Sequence, residues 1–156
     1  MEKEFITYLK SIGLTEAIRK RIETIHEFYR EICPDKITGI FVTNYMEEDG
    51  ERMYENLWFF SENYCMEAKQ FIAKDDFDIT PIRSRIYYWT IQKQDYDFKK
   101  ATEKSRLYLK FKLDTSIHGE FKASKENCDY LREIFLKYIV PNLKFGGVIP
   151  TSPNTV

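Results

Sequence analysis

Apolar residues along this chain recur with two periods, and the change from one to the other divides it into three stretches. Near the start, Phe5, Ile6 and Leu9 fall on one side of a helix, which predicts a short helix over residues 2–11 ended by Gly13. Thr15 is placed to cap a second helix. There Ile18, Ile22, Ile25, Phe28, Tyr29 and Ile32 recur every three or four residues, and Arg19, Lys20, Arg21, Glu23 and Glu27 fill the other side. Pro34 stops it, because the residue before a proline avoids helical geometry.

From residue 36 the period becomes two. Ile37–Met46 and Arg52–Ser61 read as strands joined at Glu48-Asp49-Gly50-Glu51, since Asp-Gly favours a tight hairpin. A polar turn at Glu62-Asn63 leads to a third strand, Tyr64–Ile72, and Lys74–Asp78 reads as a charged loop. After Pro81 a longer strand is expected over Arg83–Lys93. Its apolar residues on both faces suggest a central strand covered on both sides. Asp95–Lys104 is polar and reads as a loop. Ser105–Leu113 alternates cleanly: Leu107, Leu109, Phe111 and Leu113 point one way, and Arg106, Tyr108, Lys110 and Lys112 the other. A turn at Asp114-Thr115-Ser116 precedes a strand marked by Ile117, Gly119, Phe121 and Ala123.

In the third stretch the helical period returns. Ser124 is the expected cap, and Cys128, Leu131, Ile134, Phe135 and Tyr138 form the apolar stripe. Pro141 ends this helix. Residues 144–156 carry small and polar residues and read as a flexible tail. Helices, then a run of strands, then a helix make an α+β fold with six to seven strongly bent antiparallel strands. Residues 1–35 form a helical extension on the sheet and 37–143 the main body, in one domain overall.

Composition sharpens this. At 156 residues the chain is long enough to bury a sizeable core without a metal or disulfide staple. Its 12 Phe, 11 Tyr and 2 Trp suit half-buried strands. With 24 basic and 25 acidic residues the net charge is −1, so no global field draws it to nucleic acid or anionic membrane. Cys33, Cys65 and Cys128 are odd in number and scattered, which suggests free thiols in a reducing cytoplasm. No secretory signal is apparent, and no stretch approaches the roughly 20 apolar residues of a membrane span.

Candidate chemistry is sparse. His26 and His118 are the only histidines, and no HxxxH, HExxH or Cys–His spacing suggests a metal. A nucleophile pair of His118 with Cys128 is conceivable, but a small thiol in a helix stripe reads as core. Asp75, Asp76 and Asp78 lack the glycine and glutamate of a calcium loop. No glycine-rich phosphate loop is present. No catalytic residue, metal or cofactor is therefore expected. Two surfaces remain. Arg106, Tyr108, Lys110 and Lys112 alternate base with aromatic, which suits phosphate contact with stacking, although an ordinary solvated sheet face is the favoured reading, since alternation alone explains the pattern. Tyr87, Trp89 and Ile91 with Trp58 would form an apolar patch if the N-terminal helices left them uncovered; the simpler expectation is that the helices cover them.

The order of elements resembles the pleckstrin-homology-like fold over residues 37–143. The likeness rests on the strand Leu107–Leu113, the hairpin to Phe121-Lys122-Ala123, and the helix carrying Leu131 and Ile134. A helix-grip or lipocalin-like cup is the alternative. Phosphoinositide-binding members of that group are known for a lysine followed by Lys/Arg-x-Arg around the first hairpin. Here that tip is Glu47-Glu48-Asp49-Gly50-Glu51, and the matching spacing, Lys74 then Arg83-Ser84-Arg85, falls elsewhere. The resemblance implies a non-enzymatic binding module whose partner is a protein. One alternative is a binder of polyanions, nucleic acid or anionic lipid headgroups through Lys74, Arg83, Arg85, Arg106, Lys110 and Lys112. The other is a small-ligand carrier or enzyme with an internal cavity.

Overall fold

The computed structural model describes residues 1–82, 86–113 and 118–142, the side chains of 86–88, 113 and 118 excepted. Among these residues two N-terminal helices, α1 (Lys3–Ser11) and α2 (Glu16–Ile32), precede seven strands and a final helix. Gly13 turns the chain between α1 and α2 at φ 86, a conformation that costs a side-chain-bearing residue more. Thr15 then caps α2 as expected, its hydroxyl accepting from the Ile18 amide at 3.3 Å. The buried face of α2 is Ile22, Ile25, His26 and Tyr29, so the expected stripe is rotated. Phe28 (40% exposed) and Ile32 (46%) lie on its flank, where Phe28 packs on Phe77.

Strands β1 (Ile37–Met46), β2 (Arg52–Ser61), β3 (Tyr64–Ala68) and β4 (Phe77–Pro81) form one antiparallel sheet in that order. At the β1–β2 tip only Gly50 has positive φ, and the Asp49 carboxylate accepts from the Glu51 amide. Strand β3 is shorter than expected. Gln70 takes φ 47, its amide donates to the Asn56 side chain, and Phe71 turns into the core. Strand β4 takes the place of the end of the expected charged loop and the approach to Pro81. None of its five residues is buried and their exposure does not alternate, so the sequence carries no strand period there, and the proline is tolerated because β4 is an edge.

Strands β5 (Ile86–Gln94), β6 (Arg106–Leu113) and β7 (His118–Ser124) form a second antiparallel sheet. Strand β5 is an edge, not the central strand its apolar content suggested. The two sheets do not close into a barrel, which removes the lipocalin-like closed cup. They meet where β1 lies beside β7: the Ser124 amide donates to Asn44 Oδ1 at 2.9 Å.

One face of the first sheet takes the helices, through Tyr29 and His26 against Phe59. Its other face takes the second sheet, through Trp58 and Phe41 against Phe121. The final helix, α3 (Asn127–Ile134), continues as a π-helical turn Phe135–Ile139 and a 3-10 turn Val140–Asn142. The wider turn lets both Tyr138 and Ile139 point inward, with Tyr138 stacked on Phe60 at 4.6 Å. Ser124 does not cap α3. It ends β7, and Lys125 at φ 54 swings the chain so that Glu126 stands at the N-cap.

Candidate functional site

The basic residues singled out from the sequence fall on different parts of the molecule. Lys74 lies after β3, where its carbonyl accepts from Arg21 at 2.8 Å. Arg83 and Arg85 lie outside the described residues. Arg106, Lys110 and Lys112 share the outer face of β6. Arg106 donates to the carbonyls of Ser105 and Glu103 at 2.7 and 3.3 Å. Lys110 lies over the Tyr108 ring, 5.1 Å from its centre.

Lys122, which the sequence reading passed over, belongs to this face because it pairs with Tyr108 across the ladder. Its ammonium lies over Tyr108 and Tyr45 at 5.7 and 5.3 Å and 3.4 Å from the Glu55 carboxylate. Glu120 stands opposite Lys110. Burial, then hydrogen bonding to Glu120, pushes the Tyr108 hydroxyl up to about 12. Acid is thus interleaved with base. Glu67 on β3 feels the acids of this cluster, and its carboxyl is pushed up to about 7, first by burial. Lys69 pulls it back, while Asp78, Glu55 and Glu120 add to the rise.

Of the proposed apolar patch, Trp58 is 4% exposed and packs on Phe121 at 4.6 Å, so the second sheet covers it, not the N-terminal helices. The Tyr87 side chain lies outside the described residues. Trp89 is half-buried, between Phe111 and Phe135, each 5.2 Å away. Ile91, two residues on and on the same face, is 47% exposed. Beyond Phe135, Leu136 is 56% exposed. The Trp89–Phe135 contact therefore joins edge strand β5 to the π turn of the last helix, and each of these elements carries one exposed apolar residue, Ile91 and Leu136.

With β1 and β7 beside each other, the two outer edges, β4 and β5, differ. Strand β4 is five residues long, ends in Pro81, and holds Asp78 in an ion pair with Lys69 at 2.7 Å, features that discourage strand addition. Strand β5 is nine residues long, and β6 is its one strand neighbour among the described residues. Residues Ile91, Gln92, Lys93 and Gln94 are exposed. Lys93 on β5 and Lys137 in the π turn are exposed and without an ion-pair partner among the described residues. The indole Nε1 of Trp89 is buried without a hydrogen-bond partner.

No reactive thiol or metal set accompanies these surfaces. Burial pushes Cys65 and Cys128 up to about 12, keeping both protonated. The His118 ring lies outside the described residues. Among the described residues no cluster of His, Cys, Asp or Glu is arranged to hold a metal, and no helix is long and apolar enough to cross a membrane. No family model, curated protein or solved structure matches the chain.

Proposed function

We propose that the protein is a non-enzymatic binding module of pleckstrin-homology-like build, which docks an extended segment of another protein along the β5 edge beside the last helix. The observation that carries this is the long edge of β5 joined to the last helix by the Trp89–Phe135 contact, with exposed Ile91 on the strand and exposed Leu136 next to Phe135 in the chain. A strand added to such an edge gains main-chain hydrogen bonds, and alternate side chains pack against these apolar residues. Lys93 and Lys137 favour a segment that mixes apolar with acidic residues. The order of elements, with a helix closing two sheets after the last strand, supports the build. The three free thiols support the cytoplasm as the compartment. The face of Lys110 and Lys122 is a weaker candidate for a polyanion, because Glu55 and Glu120 already offset it.

Selection from a random-peptide display library on the immobilised protein tests the reading. Apolar–acidic alternation in the selected peptides is the expected result. Their binding should fall at least tenfold in an Ile91→Lys, Leu136→Lys variant whose thermal midpoint is unchanged. Selected peptides that bind this variant as well as the original protein would contradict it.

A further inference from the structure

Where the end of α2 meets the start of α1 and of β1, the surface opens into a recess of about 610 Å³, within the usual size range of small-ligand sites. His26 forms part of its inner wall. The ring is 5% exposed and sits edge-on to Phe5 and Phe59, with centroids 6.4 and 5.3 Å away. Neither ring nitrogen is among the sealed polar atoms of the core, and neither has a hydrogen-bond partner among the described residues. A largely buried imidazole whose nitrogens keep access to an open recess can offer its N–H to a polar ligand there.

The charges around it are unequally engaged. The Asp35 carboxylate accepts from the Asn63 amide at 3.2 Å and its side chain at 2.9 Å, so it is held by the β2–β3 turn. Arg30 and Lys36 also line the recess; both are exposed and have no ion-pair partner among the described residues. Glu2 is the remaining acid on the lining, and Glu27 acts on His26 from α2 itself. Burial, then the positive charges of the Met1 amino group and Arg30, lowers the His26 pKa, while Glu2 and Glu27 oppose this. The imidazole is therefore neutral at pH 7 and keeps one N–H. Against Arg30, Lys36 and the Met1 amino group stand Glu2, Asp35 and roughly half a negative charge on the carbonyls ending α2, which leaves a small positive excess at the recess.

We propose that this recess binds a small molecule bearing a phosphate or carboxylate, its oxyanion received by Arg30, Lys36 and the His26 N–H. The site is separate from the β5 edge and stands whether or not that edge docks a peptide. Proton NMR of the full chain tests it, since His26 and His118 are the only imidazoles and His118 belongs to the other sheet. Inorganic phosphate, and in a second arm acetate, is titrated at constant ionic strength against chloride. The expected result is a saturable shift of the His26 signal alone, with its titration midpoint raised by about half a unit or more. The Arg30→Gln, Lys36→Gln variant should lose both effects and keep its fold, because both positions are exposed. The stronger arm identifies the class of oxyanion. An unmoved His26 signal in both arms, or an equal response in the double variant, would overturn the proposal.

Discussion

Asn127 ties three segments together with one side chain. Its Nδ2 donates to the Val42 carbonyl at 2.8 Å and to Asn44 Oδ1 at 3.0 Å, and its Oδ1 accepts from the Tyr8 hydroxyl at 2.8 Å. Tyr8 in turn accepts from the Val42 amide at 3.0 Å. All of these groups are buried, so removing one leaves others unsatisfied. Asn127→Ala should lower stability by about 2–4 kcal/mol and Tyr8→Phe by about 1–3 kcal/mol, measured by urea unfolding. Their effects should not add, and full additivity would contradict a shared network.

Glu67 gives a signed pH dependence. Its carboxyl titrates near 7 in the fold and near 4.5 when exposed. The folded state thus binds the extra proton between those values, and stability is lost as pH rises through that window. Glu67→Gln should stabilise the protein by about 1–2 kcal/mol at pH 8, a gain that fades toward pH 4. A gain independent of pH would contradict the burial argument. His26 acts in the opposite sense. Its pKa is lowered by burial first, so its contribution is present above the unfolded value of 6.5 and is lost as pH falls below it.

Elements were legible where a period ran long enough. Strand β6 and helix α2 declared themselves through unbroken alternation and through a stripe with a Thr15 cap. Strand β4 did not, because five residues at an edge need bury little. The position of β5 was also hidden: Trp89 and Ile91 are apolar in a strand that ends its sheet, and strand order does not follow from composition. Lys122 could have been found by pairing β7 with β6, since alternation puts it beside Tyr108. The site at β5 is half legible, since Trp89 and Ile91 stand out in the sequence, but the Phe135 contact and the exposure of Leu136 belong to the π turn, which sequence periodicity does not announce.

Close packing within the second sheet makes one glycine indispensable. Gly119 faces Phe111 across the β6–β7 ladder, and an added Cβ would overlap that ring. Gly119→Ala should cost about 1–3 kcal/mol through overpacking. Phe111→Leu in the same chain should recover part of that loss, as seen in thermal unfolding. No recovery would place the strain in the backbone.

Across the whole molecule, helices and both sheets share one apolar core running from Phe5 through Phe59, Trp58 and Phe121 to Tyr138. Ring-on-ring packing occupies the space between the sheets, with Phe60, Phe121 and Phe111 in sequence across it. Arg52 adds a tie among distant parts. Its guanidinium meets both oxygens of Glu126 at 3.0 Å and the Ile12 carbonyl at 2.7 Å. Among the described residues the long outer edge of this body is β5. Backbone amide NMR during titration with a display-selected peptide tests this most directly. The account predicts shifts and slowed hydrogen exchange concentrated over residues 89–94, together with shifts at Phe135 and Leu136. Shifts centred on the face of Tyr108 and Lys122, with β5 silent, would contradict it.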